Sequence, residues 1–126
     1  MNRTVVIRVG PAEQARRELK EDLAAITAGD RLKERREIWF PSLAQLASVL
    51  TEERLALLQL IHKKHPASVA RLARLAGRSE KSTAADLQTL ADVGLVKLVS
   101  ARGGQRPVAR YDRIHLAGDI TLGRAA

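Results

Sequence analysis

The 126-residue chain predicts an α+β fold, mainly α-helical with a small β-hairpin. Aromatic residues make up only 2 % of it, as Trp39, Phe40 and Tyr111. The core must therefore be built from Leu, Val, Ile and Ala, which favours helices over a β-sandwich. Apolar residues recur at steps of three and four through much of the chain, the mark of amphipathic helices. Near the C-terminal end two extended stretches flank a turn that contains Gly103 and Gly104, and this is the pattern of a hairpin.

The elements follow in order. Thr4–Val9 (TVVIRV) is a β-branched run that Gly10 and Pro11 end, so it reads as a strand. Ala12, Ala15, Leu19, Leu23 and Ile26 then define one face of a helix, with Glu13, Arg17 and Glu21 paired at four-residue spacing on the other. Arg36–Phe40 (REIWF) is a second short strand, stopped by Pro41. Ser42 and Gln45 fit a capping box ahead of a helix over about 42–50, with Leu43, Leu46, Ala47 and Leu50 on one face. Thr51 caps the next helix, which is apolar around much of its circumference through Leu55, Leu57, Leu58, Leu60 and Ile61. Ser68 caps a short helix that Gly77 ends. Ser79 caps a longer one that runs to about Asp92 and stops at Gly94. Leu95–Ser100 is extended, Ala101–Pro107 is a turn, and a further strand covers roughly Val108–Leu116, with a bulge where its alternation fails.

The composition, 45 % hydrophobic and 29 % charged, is that of an ordinary globular chain. There is no cysteine, which excludes disulfides and thiolate metal sites. The N-terminal residues lack the apolar run of a signal peptide, and no segment is apolar over the length a bilayer requires. These features lead us to expect a cytoplasmic location and no membrane partner. His62 and His65 lie three apart without an evident third ligand, and no phosphate loop or Ser/His/Asp arrangement is present, so no metal, cofactor or enzymatic activity is expected.

The net charge of +8 is unevenly spread. Residues 1–50 hold 9 Lys/Arg against 7 Asp/Glu, whereas residues 62–110 hold 10 against 3. A basic segment of that kind suits a polyanion. From Thr51 onward the order is helix, helix, turn, helix, strand, basic turn, strand. A short helix followed by a longer one, with a hairpin behind them, is the order expected of a winged helix-turn-helix, in which the longer helix can lie in a major groove. The recognition helix is about 79–92 and the wing about 95–116. With Leu87 set inward, Thr83, Ala84, Leu90, Ala91 and Gly94 fall beside it, and Glu80 also tends inward. Arg78, Lys81, Ser82, Ala85 and Thr89 fall on the opposite side, which is small or basic as groove docking requires. Lys81 can meet a phosphate or guanine, Ser82 a base edge or phosphate, and Ala85 a thymine methyl. Arg78 and Ser79 stand at the helix entry, where backbone N–H groups also meet phosphate. Asp86 lies to one side, placed to orient Arg78 or Lys81. On the wing, Arg102, Gln105 and Arg106 can reach backbone or minor groove. Ser68, with Lys63 and Lys64, flanks the helix junction. An acidic protein partner is the rival reading of this basic face. RNA is disfavoured because three aromatic residues give no stacking platform.

The segment SVARLARLAGRSEKSTAADLQTLADVGLVKL resembles the winged helix-turn-helix of MarR-like transcriptional regulators, through Leu72, Ala73, Gly77, Arg78, Ser79, Ser82, Leu87, Leu90, Gly94, Leu95 and Val96. The flanking stretches look like a small prokaryotic subgroup of regulators, some relatives of which look like antitoxins. The resemblance spans roughly residues 38–116 and implies a homodimer that binds double-stranded DNA at a pseudo-palindromic operator and represses its own operon. The alternatives are an antitoxin that neutralises a cognate toxin by direct binding and autoregulates, or a protein-interaction winged helix without DNA specificity. Thr83 stands where the family often has a bulky aliphatic residue, and Ala84 and Ala85 where a polar or basic one is common. Phosphate contact is therefore expected to outweigh base reading. The expected organisation is an N-terminal strand-helix-strand extension over 1–41 that forms a dimer or partner surface by an edge strand or helix stripe, a DNA-binding domain over 42–117, and a loose tail over 118–126.

Overall fold

The computed structural model describes residues 3–11, 36–119, 122 and 123, together with the single positions 13, 16, 17 and 20. It is mixed α/β, with more sheet than one hairpin. The strands are β1 (Thr4–Val9), β2 (Glu37–Phe40), β3 (Val96–Ala101), β4 (Gly104–Ala109) and β5 (Arg113–Gly118). The helices are α1 (Leu43–Val49), α2 (Glu52–Lys64), α3 (Val69–Ala76) and α4 (Glu80–Asp92). Glu13, Arg16, Arg17 and Lys20 are helical and exposed. The apolar face expected from Ala12 to Ile26 lies outside the described residues. No helix among the described residues is long and apolar enough to cross a membrane.

The chain divides into two compact units, and the division differs from the expected one. One unit is Ala47–Arg113 with Met1–Arg3; the other is Thr4–Leu46 with Ile114–Ala126. The expected single strand over 108–116 is the source of the difference. It is two strands, β4 and β5, which belong to separate sheets. Pairing with β3 ends where the Arg110 N–H donates to the Leu95 carbonyl at 3.2 Å. Asp112 and Arg113 then donate backbone N–H groups to the Arg3 carbonyl, at 2.7 and 3.2 Å. An imperfect alternation read as a bulge is thus a change of sheet.

In the unit built around the N-terminal strands, the order is β2-β1-β5. β1 and β2 are parallel, with Ile7 opposite Ile38 and Val9 opposite Phe40. A parallel pair needs a long crossover, which residues 10–36 supply. Val5, Ile7 and Phe40 are buried. Alongside them Arg8 pairs with Glu37 at 3.3 Å, and the Trp39 indole donates to the same carboxylate at 3.2 Å. β1 is the central strand, so the edge available for pairing is not the one at the start of the chain. In α1 only Leu46 is buried; Leu43 and Ala47, read from periodicity as inward, are exposed. The expected tail is in part strand, since β5 reaches Gly118; Asp119, Leu122 and Gly123 follow it, and the other tail residues lie outside the described set.

The second unit is a helical cluster with a two-stranded ribbon. α2 packs on α3, α4 and β4; α3 packs on α4 and β4; and α4 packs on β3. Its buried centre is Leu57, Ile61, Leu72, Ala73, Thr83, Leu87, Leu90, Leu95 and Val96. Local chemistry starts and stops each helix. Thr51, Ser68 and Ser79 each accept the backbone N–H at the third position of their helix, from Arg54, Arg71 and Ser82. Each thereby satisfies a donor the helix itself cannot. Gly77 closes α3 at φ 67° with open space around its α-carbon, so glycine is required there by conformation rather than by crowding.

Candidate functional site

The basic segment of this unit presents two surfaces, α4 and the β3–β4 ribbon. The inward side of α4 is set by Thr83, Leu87 and Leu90, all fully buried. Thr83 fits an apolar interior because its hydroxyl donates back to the Ser79 carbonyl at 2.9 Å. The outward side is Glu80, Lys81, Ala84, Ala85, Gln88 and Asp92. This arc is rotated from the expected one. Ala84 and Glu80, expected inward, are exposed, whereas Arg78, Ser82 and Thr89, expected outward, are half-buried.

An ion-pair network explains the rotation. Asp86 is held from two sides: Arg54 of α2 reaches Oδ1 with its Nε at 3.1 Å, and Arg78 brings Nη1 to 2.7 Å from Oδ2. The Arg78 contact lacks hydrogen-bond alignment and is an ion pair. The other amino group of Arg78 donates to the Ser82 hydroxyl at 2.5 Å. Arg54 also donates to the Ser48 and Val49 carbonyls at 2.8 and 2.9 Å, closing the C-terminal end of α1. All three charged side chains are less than a quarter exposed. Arg78 and Ser82 are thus committed within the fold, and Asp86 orients Arg78 as the sequence suggested. Lys81 makes no ion pair among the described residues and is exposed.

The other expected contact residues divide in the same way. Ser68 and Ser79 use their hydroxyls as caps. The Thr89 hydroxyl donates to the Ala85 carbonyl at 3.3 Å. Ala85 is exposed as expected.

In the ribbon the turn is tighter than the seven residues expected for it. Only Arg102 and Gly103 connect the strands, with Gly103 at φ 84°. Gln105, Arg106 and Pro107 lie in β4, opposite Ser100, Val99 and Leu98. Pro107 is tolerated because alternate pairs of an antiparallel ladder exchange no hydrogen bonds. Arg102, Gln105 and Arg106 are all exposed. The ribbon ends at Ala109, not at 116.

Elsewhere in this unit, His62 Nε2 lies 2.9 Å from Asp112 Oδ1, and the Arg3 backbone N–H donates to Oδ2 at 2.7 Å. These hydrogen bonds, the backbone one foremost, hold the Asp112 carboxyl below its ordinary pKa. His62 and His65, three apart in the sequence, have separate roles. His62 pairs with a carboxylate, and His65 is the left-handed C-cap of α2 at φ 48°. Among the described residues no group of three or more His, Cys, Asp or Glu is placed to hold a metal ion.

Sequence reasoning missed Gln88 and Ala84 on the exposed strip and Arg54 beneath it. The tie between Arg54 and α4 rests on one partner, Asp86, 32 positions away, which no local pattern reveals. Gln88 was legible as the residue one turn beyond Ala84 once the inward direction was set by Thr83, Leu87 and Leu90 together rather than by Leu87 alone.

Comparison with curated proteins gives no match. A family model, HVO_A0114, matches residues 49–116, a span that contains α2 to α4, the ribbon and every residue of the basic surface. That span is more than half of the chain, and the chain belongs to the HVO_A0114 family.

Proposed function

We propose that this chain is a DNA-binding transcriptional regulator, a winged helix-turn-helix protein of MarR-like type that acts as a homodimeric repressor of its own operon. In this reading α3 and α4 are the helix-turn-helix pair, α4 enters the major groove, and the β3–β4 ribbon is the wing. The observation that carries the reading is the outward strip of α4: Lys81, Ala84, Ala85 and Gln88 are exposed, small or polar, and free of bulky apolar groups. Such a strip lets a helix backbone approach base edges. The exposed Arg102 and Arg106 on the ribbon supply cations for the flanking backbone or a narrow minor groove. Because Asp86 is neutralised by Arg54 and Arg78, it adds no repulsion toward phosphate. A dimer matches two half-sites about one helical turn apart.

The test is fluorescence anisotropy of the full chain with duplex DNA from its own upstream region, across a salt titration. Binding weakens steeply with salt, with a slope of about 0.9 per phosphate neutralised. Replacing Lys81, Arg102 and Arg106 together with Ala lowers both affinity and slope. An affinity that ignores salt and survives the triple replacement means the basic surface serves another partner.

A further inference from the structure

We propose that Gln88 is the base-selecting residue of α4, pairing its amide with the major-groove edge of an adenine. The inference rests on the DNA-binding reading and deepens it. The strip Lys81, Ala84, Ala85, Gln88 has the spacing i, i+3, i+4, i+7, which keeps four side chains in line along a groove. The two alanines in its middle carry no hydrogen-bonding group. Their small size brings the helix close to the bases, so reading falls to the polar residues at the two ends.

The polar residues nearest the helix start do not compete for this role. Arg78 is bound to Asp86 and Ser82, and the Ser79 hydroxyl caps the helix. Glu80 and Asp92 are exposed carboxylates, which phosphate repels. Lys81 is a point charge with three rotatable donors and serves guanine or phosphate without distinguishing them sharply. Gln88 alone on the strip offers one donor and one acceptor in a fixed plane.

Its orientation is set within the helix. Gln88 Nε2 donates to Asp92 Oδ1 at 2.8 Å. A carboxylate only accepts, so the nitrogen end of the amide must face Asp92. One N–H and the Oε1 remain for a ligand. Adenine presents an amino donor and the N7 acceptor side by side, which an amide matches in two bonds. Guanine presents two acceptors, and cytosine a lone donor. Asp92 thus acts as a positioning residue that fixes which end of the amide donates.

Selection of bound duplexes from a randomised pool, using the full-length protein, tests this. The wild type is expected to favour adenine at one position per half-site by roughly tenfold over other bases. Gln88→Ala flattens that position alone, while affinity for unselected duplex stays within about twofold because phosphate contacts carry it. Gln88→Glu, an acceptor only, moves the preference to cytosine. Asp92→Asn relaxes the adenine preference, because an amide beside Gln88 accepts either orientation. A Gln88→Ala protein with the same adenine preference as wild type overturns the proposal and leaves the DNA-binding reading standing. A wild-type protein that binds no duplex overturns that reading, and this proposal with it.

Discussion

Arg78 and Arg102 belong to the same basic segment, yet the fold gives them opposite tasks. Arg78 is less than a quarter exposed and locked to Asp86 and Ser82. Arg102 is exposed at the tip of a two-residue turn and makes no ion pair among the described residues. The first charge is taken up at α4, where it shares Asp86 with Arg54 of α2; the second is exposed to a ligand. Positive charge in a sequence is therefore a poor measure of what a surface presents. A guanidinium beside a folded carboxylate is taken up by the fold, and one on an exposed turn stays accessible.

The largest expected effect breaks the structural side of this contrast. Asp86→Ala leaves two partly buried guanidinium groups without their partner and should lower unfolding free energy by about 3 kcal/mol in urea titration. A change under about 0.5 kcal/mol would mean that the network does not anchor α4.

Smaller and more local is the cap. Ser79→Ala should cost about 1 kcal/mol, read by thermal melting, because the Ser82 N–H loses its acceptor. If DNA affinity falls while stability holds, Ser79 belongs with the contacting residues instead.

The ribbon should respond in the opposite sense. Arg102→Ala should change stability by no more than about 0.5 kcal/mol while weakening DNA binding and reducing its salt dependence. Loss of stability comparable to that of Asp86→Ala would erase the distinction between the two arginines.

The smallest effect concerns a third charged site, Asp112. Its carboxyl titrates below the ordinary range, chiefly through the Arg3 backbone N–H and then through His62. Because the folded pKa is depressed, the stabilisation is present above the unfolded-state value, near 4, and is lost as pH falls through the folded value. Asp112→Asn should therefore reduce the dependence of thermal stability on pH between neutrality and pH 3 or so. An unaltered acid profile would show that this contact contributes nothing.

Much of the fold is legible in the sequence. The strands at Thr4–Val9 and Glu37–Phe40 follow from β-branched and aromatic runs that proline and glycine end. The caps at Thr51, Ser68 and Ser79 and the stop at Gly77 are local chemistry, complete within a few residues. The fate of residues 108–116 was not legible, because a strand's partner is chosen by distant backbone, here the Arg3 carbonyl. The same limit applied at the candidate surface. Lys81, Ala85, Arg102, Gln105 and Arg106 are exposed, as pattern predicts, but the half-buried places of Arg78 and Ser82 depend on side-chain partners that pattern does not specify.

The sequence by itself determined where helices begin and end, that the interior is aliphatic, and that residues 62–110 carry a positive excess. Those properties depend on neighbours along the chain or on composition. Only the tertiary structure decided that β5 leaves the ribbon for the β2-β1-β5 sheet, and which arc of α4 faces outward. The rotation of a helix is a three-body matter. It depends on Leu87 and Leu90 finding a buried volume and on Asp86 meeting Arg54 across 32 positions, and periodicity alone fixes the stripe without fixing which charges are taken inside.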